Sequence, residues 1–111
     1  MSYNHDLTER VRQALAQVQQ VEEKPMFGSI GFMVNGKLCL GVGDHEDHVL
    51  LVRVGSKMYD EALKRRGAGP AIMRGKEHKG YVFLQSEAVE TEEDLRYWVQ
   101  LALDFNQSLN A

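Results

Sequence analysis

Apolar residues near the start of the chain recur at helical spacing. Leu7, Val11, Ala14, Leu15, Val18 and Val21 fall on one stripe with charges and glutamines opposite, which predicts an amphipathic helix over 6–21. Asp6 followed three residues later by Glu9 is a start signal. Lys24-Pro25 closes the helical region, because the residue before proline avoids the α basin. The period then shortens to two. SIGFMV and KLCLGV are β-type runs joined by Asn35-Gly36, a dipeptide that accepts the positive φ angles of a type I′ turn. Alternation places Ile30, Phe32 and Val34 with Leu38, Leu40 and Val42 on one face, and Met33 and Cys39 on the other.

Residues 44–47 read as a polar turn, and HVLLVRV (48–54) as a third strand. That strand is apolar on both faces except at Arg53, so it is expected to be central and covered. Ser56 is placed to cap a short helix through Met58, Tyr59, Ala62 and Leu63, ending at Gly67. Ala71-Ile72-Met73 suggests a brief strand and YVFLQ (81–85) a clearer one, with a loop of about seven residues between them. Thr91 and Asp94 form a capping box, and Leu95, Trp98, Val99, Leu101, Ala102 and Phe105 give the last helix a broad apolar face. The expected order is α-βββ-α-ββ-α, an α+β fold with a mainly antiparallel sheet and flanking helices.

Composition keeps this picture. With 111 residues, 43% apolar and 26% charged, the chain 1–111 fits one domain with one core. The single cysteine, Cys39, rules out an internal disulfide and argues against an oxidising compartment. No apolar run approaches the roughly 20 residues that span a bilayer. The first residues lack the basic region and apolar stretch of a signal peptide, so a cytoplasmic location and no membrane partner are expected.

Charge adds an asymmetry. From Arg53 to Lys79 there are eight basic residues against three acidic ones, net +5, which leaves −8 on the remainder of a chain whose total is −3. A contact for an anion or a protein partner is expected from Lys37, Arg53, Arg74 and Lys79. A cation within the apolar strand 48–54 must reach solvent or a partner, so Arg53 also has a structural reading as an internal salt bridge. Most of the other basic side chains are expected to solvate a helix and a loop.

Chemistry beyond this is sparse. Asp44-His45-Glu46-Asp47-His48 has metal-ligand residue types, but side chains diverge in a turn and no second cluster completes a set, so no metal is expected. Cys39 reads as a buried structural thiol rather than a nucleophile, since only Lys37 lies near it. No nucleophile elbow, phosphate loop or dinucleotide fingerprint is present; no catalytic residue and no cofactor are expected. Trp98 reads as core and Tyr97 as a residue exposed at the rim.

The run MFGSIGFMVNGKLCLGV, then LLVRVGSKMYDEAL, GAGPAIMRGKEHKGYVFL and DLRYWVQLALDFNQSL resemble the TfoX N-terminal domain family of bacterial competence regulators. The resemblance covers roughly residues 10–109. Its most specific parts are Met26-Phe27-Gly28, Gly31 and Gly36-Lys37, in that order, with Met73 and Lys79-Gly80-Tyr81-Val82 later. It implies a layout similar to small secretion-chaperone-like domains, which often pair as dimers. Longer members carry a second, helical domain after this one, and their link to transcription is not carried over to these residues. The expectation is therefore a non-enzymatic regulatory or adaptor domain acting by protein–protein contact, as a homodimer with a further, unidentified protein partner. The alternative is a nucleic-acid-binding accessory module using the 53–79 segment, with weak binding.

Overall fold

The computed structural model describes residues 5–26, 29–43 and 48–109. Its elements are α1 (His5–Ala14), β1 (Val21–Met26), β2 (Ser29–Val34), β3 (Lys37–Val42), β4 (Leu50–Arg53), α2 (Tyr59–Leu63), β5 (Ala68–Met73), β6 (Lys76–Leu84), a 3₁₀ turn over Ser86–Val89 and α3 (Glu92–Ser108). Six strands form one antiparallel sheet in the order β1-β2-β3-β4-β6-β5. The α+β class expected from the sequence is the class observed. The strand count differs, because four strands rather than three precede α2.

The extra strand is β1. Helix α1 stops at Ala14, well short of 21, and a turn with Gln20 at φ 62° redirects the chain into Val21-Glu22-Glu23-Lys24-Pro25-Met26. These six residues pair with β2 from Val21↔Val34 to Met26↔Ser29. Charges and a proline suit a sheet edge, where they discourage pairing with another chain, and they hide the strand from any test of hydrophobic alternation. Arg12 of α1 clasps β1, donating from Nε to Glu23 Oε2 (2.8 Å) and from Nη2 to Oε1 (2.7 Å), and also reaches Glu9. These bonds hold the Glu23 carboxyl below its ordinary pKa. Asp6 lies inside the first turn of α1 and is not a cap preceding it.

Asn35 (φ 54°) and Gly36 (φ 78°) make the expected tight turn of the β2–β3 hairpin. A bulge follows. Phe32 pairs with Leu40 but Met33 pairs with Leu38, which leaves Cys39 without a cross-strand partner. The bulge turns Leu38 away from Leu40 and Val42 onto the face of Met33, and it buries Cys39 in the core. The sequence expectation for these two residues is therefore reversed.

A second turn of the same kind replaces the expected seven-residue loop. Arg74 (φ 53°) and Gly75 (φ 76°) join Met73 to Lys76, and β6 runs on to Leu84. Helix α2 starts after Met58 without a side-chain cap, so Ser56 does not cap it. For α3 the expected cap is present: Thr91 Oγ1 accepts from the Asp94 N–H at 3.0 Å.

All three helices and the inward residues of the sheet share one core. Leu7, Val11 and Leu15 meet Phe32, Val34, Leu40, Val42, Leu50, Val52, Val82 and Leu84, with Leu95, Trp98, Val99 and Ala102 laid across them. Trp98 is only 1% exposed; truncating a buried aromatic of this size costs about 3–5 kcal/mol. Asn106 is buried at the same helix face and donates from Nδ2 to the Val34 carbonyl at 3.0 Å, fastening α3 to the end of β2.

The chain leaving β4 passes directly under α3. Gly55 has φ +85°, and a Cβ there would lie 2.3 Å from Cδ1 of Phe105. Gly80 (φ +95°) approaches from β6, and its carbonyl accepts from the N–H groups of both Val54 (2.8 Å) and Gly55 (3.0 Å). Gly55→Ala combines a disfavoured φ with a clash, and is expected to lower the unfolding free energy by about 2–4 kcal/mol. Gly36→Ala has an equally positive φ but open space around it, and should cost only about 1–2 kcal/mol. Urea titrations of both variants check the difference.

Candidate interaction surface

Helices cover one face of the sheet. The opposite face is built by residues whose register places them outward: Met33 and Leu38 on paired strands, Leu51 opposite Phe83, and the intervening Gly31 and Gly41. Neither Met33, Leu38, Leu51 nor Phe83 belongs to the helix-side core or packs against it. Met33, Leu38 and Leu51 are half-buried, and Phe83 is shielded by a parallel stack of His48 at a ring separation of 3.6 Å. Strand β4 is thus central, as the sequence implied, but helices cover it on one side only. An antiparallel sheet with a solvated face ordinarily carries polar residues there; this one carries an apolar centre, with Glu22, Lys24 and Arg53 at other outward positions.

The face continues to the sheet edge at β5. A cleft of about 450 Å³ opens there, lined by Gly67, Ala68, Gly69, Pro70, Ile72, Phe83, Gln85 and Glu87. Ile72 at its rim is 52% exposed. Pro70 lacks an N–H and blunts this edge as Pro25 blunts the other.

The four cations singled out in the sequence fall on different elements. Lys37 opens β3, and its Nζ donates to the Leu109 carbonyl at 3.4 Å, beyond the last turn of α3. That helix has no basic residue in its own last turn, so the sheet supplies the cation that its dipole favours. Arg53 pairs across strands with Tyr81 and lies 5.4 Å from that ring and 5.2 Å from the ring of Phe105. Two aromatic faces, rather than an internal salt bridge, accommodate its charge. Arg74 and Lys79 lie on the β5–β6 hairpin, where residues 74–79 are all exposed.

The basic run at 64–66 has structural work. The Arg65 guanidinium sits 3.6 Å from the Tyr97 ring centroid and 6.0 Å from that of Trp98. Arg66 pairs with Glu87 (3.1 Å) and Glu90 (3.6 Å). Tyr97 is accordingly half-covered at the rim of the core, and Trp98 is inside it.

Two ionisable groups are perturbed by burial. Burial pushes the Cys39 thiol up to about 11, against a smaller opposing pull from Arg53. That is the reverse of the thiolate stabilisation a nucleophile requires. Tyr59, on the buried face of α2, is pushed up to about 12, first by burial and then by its 2.6 Å hydrogen bond to Glu77 Oε2. No group of three or more metal-ligating side chains occurs among the described residues. The Asp44–Asp47 part of the acidic and histidine turn, like Phe27-Gly28, lies outside the described residues. No helix among the described residues is long and apolar enough to cross a membrane.

What sequence reasoning missed is the outward apolar set. Its signal was the two-sided apolar character of 49–52 and 82–84, which reads equally well as a strand covered on both faces.

Burial of Tyr59, helped by its bond to Glu77, sets a pH dependence. Its folded value exceeds the ordinary value of 10, so the stability it brings is complete below pH 10 and is lost as pH rises towards 12. Wild type should lose on the order of 2 kcal/mol more than Tyr59→Phe across that window, measured by denaturant titration.

The family model described as the TfoX N-terminal domain matches residues 13–106. Neither curated proteins nor solved structures give a match.

Proposed function

The chain belongs to the TfoX N-terminal domain family, and from that premise we propose that it is a non-enzymatic regulatory or adaptor domain of a bacterial cytoplasm, acting through protein–protein contact as a homodimer. The observation that supports this reading most is the apolar sheet face formed by Met33, Leu38, Leu51 and Phe83 outside the core. A half-buried apolar set of this kind, outside the core and uncovered by any helix, suits an interaction site better than a solvated face.

A second copy is the occupant the charges favour. On β1, the outward positions beside Met33 and Gly31 are Glu22 and Lys24, one of each sign. A two-fold axis that runs the two faces antiparallel sets Glu22 of one copy towards Lys24 of the other, and such an isologous contact closes at two subunits. The cleft beside β5, rimmed by Ile72, is then left for the regulatory partner.

Light scattering coupled to size exclusion tests the dimer. The wild type should elute at twice its 12.6 kDa chain mass. Leu51→Glu places an unpaired charge in the contact, at a cost of at least about 2 kcal/mol in association, and should elute as a folded monomer by circular dichroism. A wild type that is monomeric at every concentration, or a Leu51→Glu variant that still dimerises, would overturn the reading.

A further inference from the structure

We propose that the hairpin arm of β5 and β6 contacts the phosphate backbone of duplex nucleic acid. Strand β4 ends at Arg53, opposite Tyr81; beyond it, after a register shift between Pro70 and Ile72, β5 and β6 pair as a short two-stranded hairpin at Ile72↔Glu77 and Met73↔Lys76. The Gly80 carbonyl anchors the base of the hairpin, the Tyr59–Glu77 bond ties its outer end to α2, and the two-residue Arg74-Gly75 turn closes its tip. The major groove, about 12 Å wide, admits a two-stranded ribbon of this kind.

The charge on the arm is left uncompensated. Five of the six arginines outside the arm are used internally: Arg10 with Glu92, Arg12 with Glu9 and Glu23, Arg66 with Glu87 and Glu90, and Arg53 and Arg65 against rings. Arg74, Lys76 and Lys79 are exposed and meet no carboxylate among the described residues. The one acidic residue of the arm, Glu77, accepts the Tyr59 hydroxyl. Three exposed cations within six residues of a protruding hairpin present clustered positive charge to a regularly charged backbone. A flexible acidic peptide has no corresponding need of a preformed ribbon. The net charge of −3 on the whole chain limits the affinity and keeps the contact salt-sensitive.

This site is independent of the sheet-face contact. It is tested with the full chain and a labelled mixed-sequence DNA duplex, by fluorescence anisotropy over a series of salt concentrations. Three phosphate contacts predict a log–log salt slope of about −3 for the wild type. The triple variant Arg74→Gln/Lys76→Gln/Lys79→Gln should bind at least ~10-fold more weakly and lose most of that slope. Lys64→Gln/Arg96→Gln removes two exposed cations outside both the arm and the sheet face, and should leave both affinity and slope nearly unchanged. The proposal is overturned if the triple variant binds as the wild type does, or if the control variant loses as much. It is also overturned if polyglutamate or anionic vesicles bind the arm as tightly as the duplex, since the site would then belong to acidic protein or lipid.

Discussion

The packing of α3 across the inner face of β3 and β4 is the contact on which the rest of the molecule depends. Leu95, Trp98, Val99 and Ala102 close the core from above, and the same helix then fixes features well beyond its own apolar stripe. Phe105 occupies the space where a Cβ on residue 55 would stand, so the exit from β4 must be glycine. Asn106 ties down the Val34 carbonyl, and the carbonyl of Leu109 receives Lys37. Helix α1 in turn leans on α3 through Arg10 and Glu92. Because the helical cover is all recruited to one side, the other face of the sheet is left bare of helix.

That bare face and the hairpin arm are where unmatched side chains cluster. Arg10, Arg12, Lys37, Arg53, Arg65 and Arg66 are matched by carboxylates, rings or a helix end, and most large apolar side chains lie in one cluster. The outward Met33, Leu38 and Leu51 and the cations at 74–79 are matched by neither. A domain of 111 residues has little core to spare, so apolar area left outside it is a cost that an external contact would recover.

Much of the fold was legible from the residues. Asn35-Gly36 announced its turn, Thr91 and Asp94 announced α3, and the alternation in β2 placed Phe32 and Val34 in the core correctly. Strand β1 was illegible because an exposed edge has no inward set to betray it, and Val21 alone continued the helical stripe. Arg74-Gly75 was overlooked because arginine seldom takes positive φ, so the turn carries no asparagine or aspartate as a flag. The bulge at Cys39 shifted register by one residue and reversed Leu38, which alternation cannot foresee. Of the candidate site, Arg53 was found by its place in an apolar strand. Its partners were not, since Tyr81 and Phe105 approach only through sheet pairing and helix packing.

The central claim is that the helix-free sheet face is an interface between copies. Methionine-methyl NMR over a dilution series addresses it at single residues, because Met33 lies on that face whereas Met58 packs on the helix-side core. If the claim holds, the Met33 methyl resonance shifts with protein concentration and the Met58 resonance stays fixed. A Met33 resonance that is insensitive to concentration, or one that moves only in step with Met58, contradicts it.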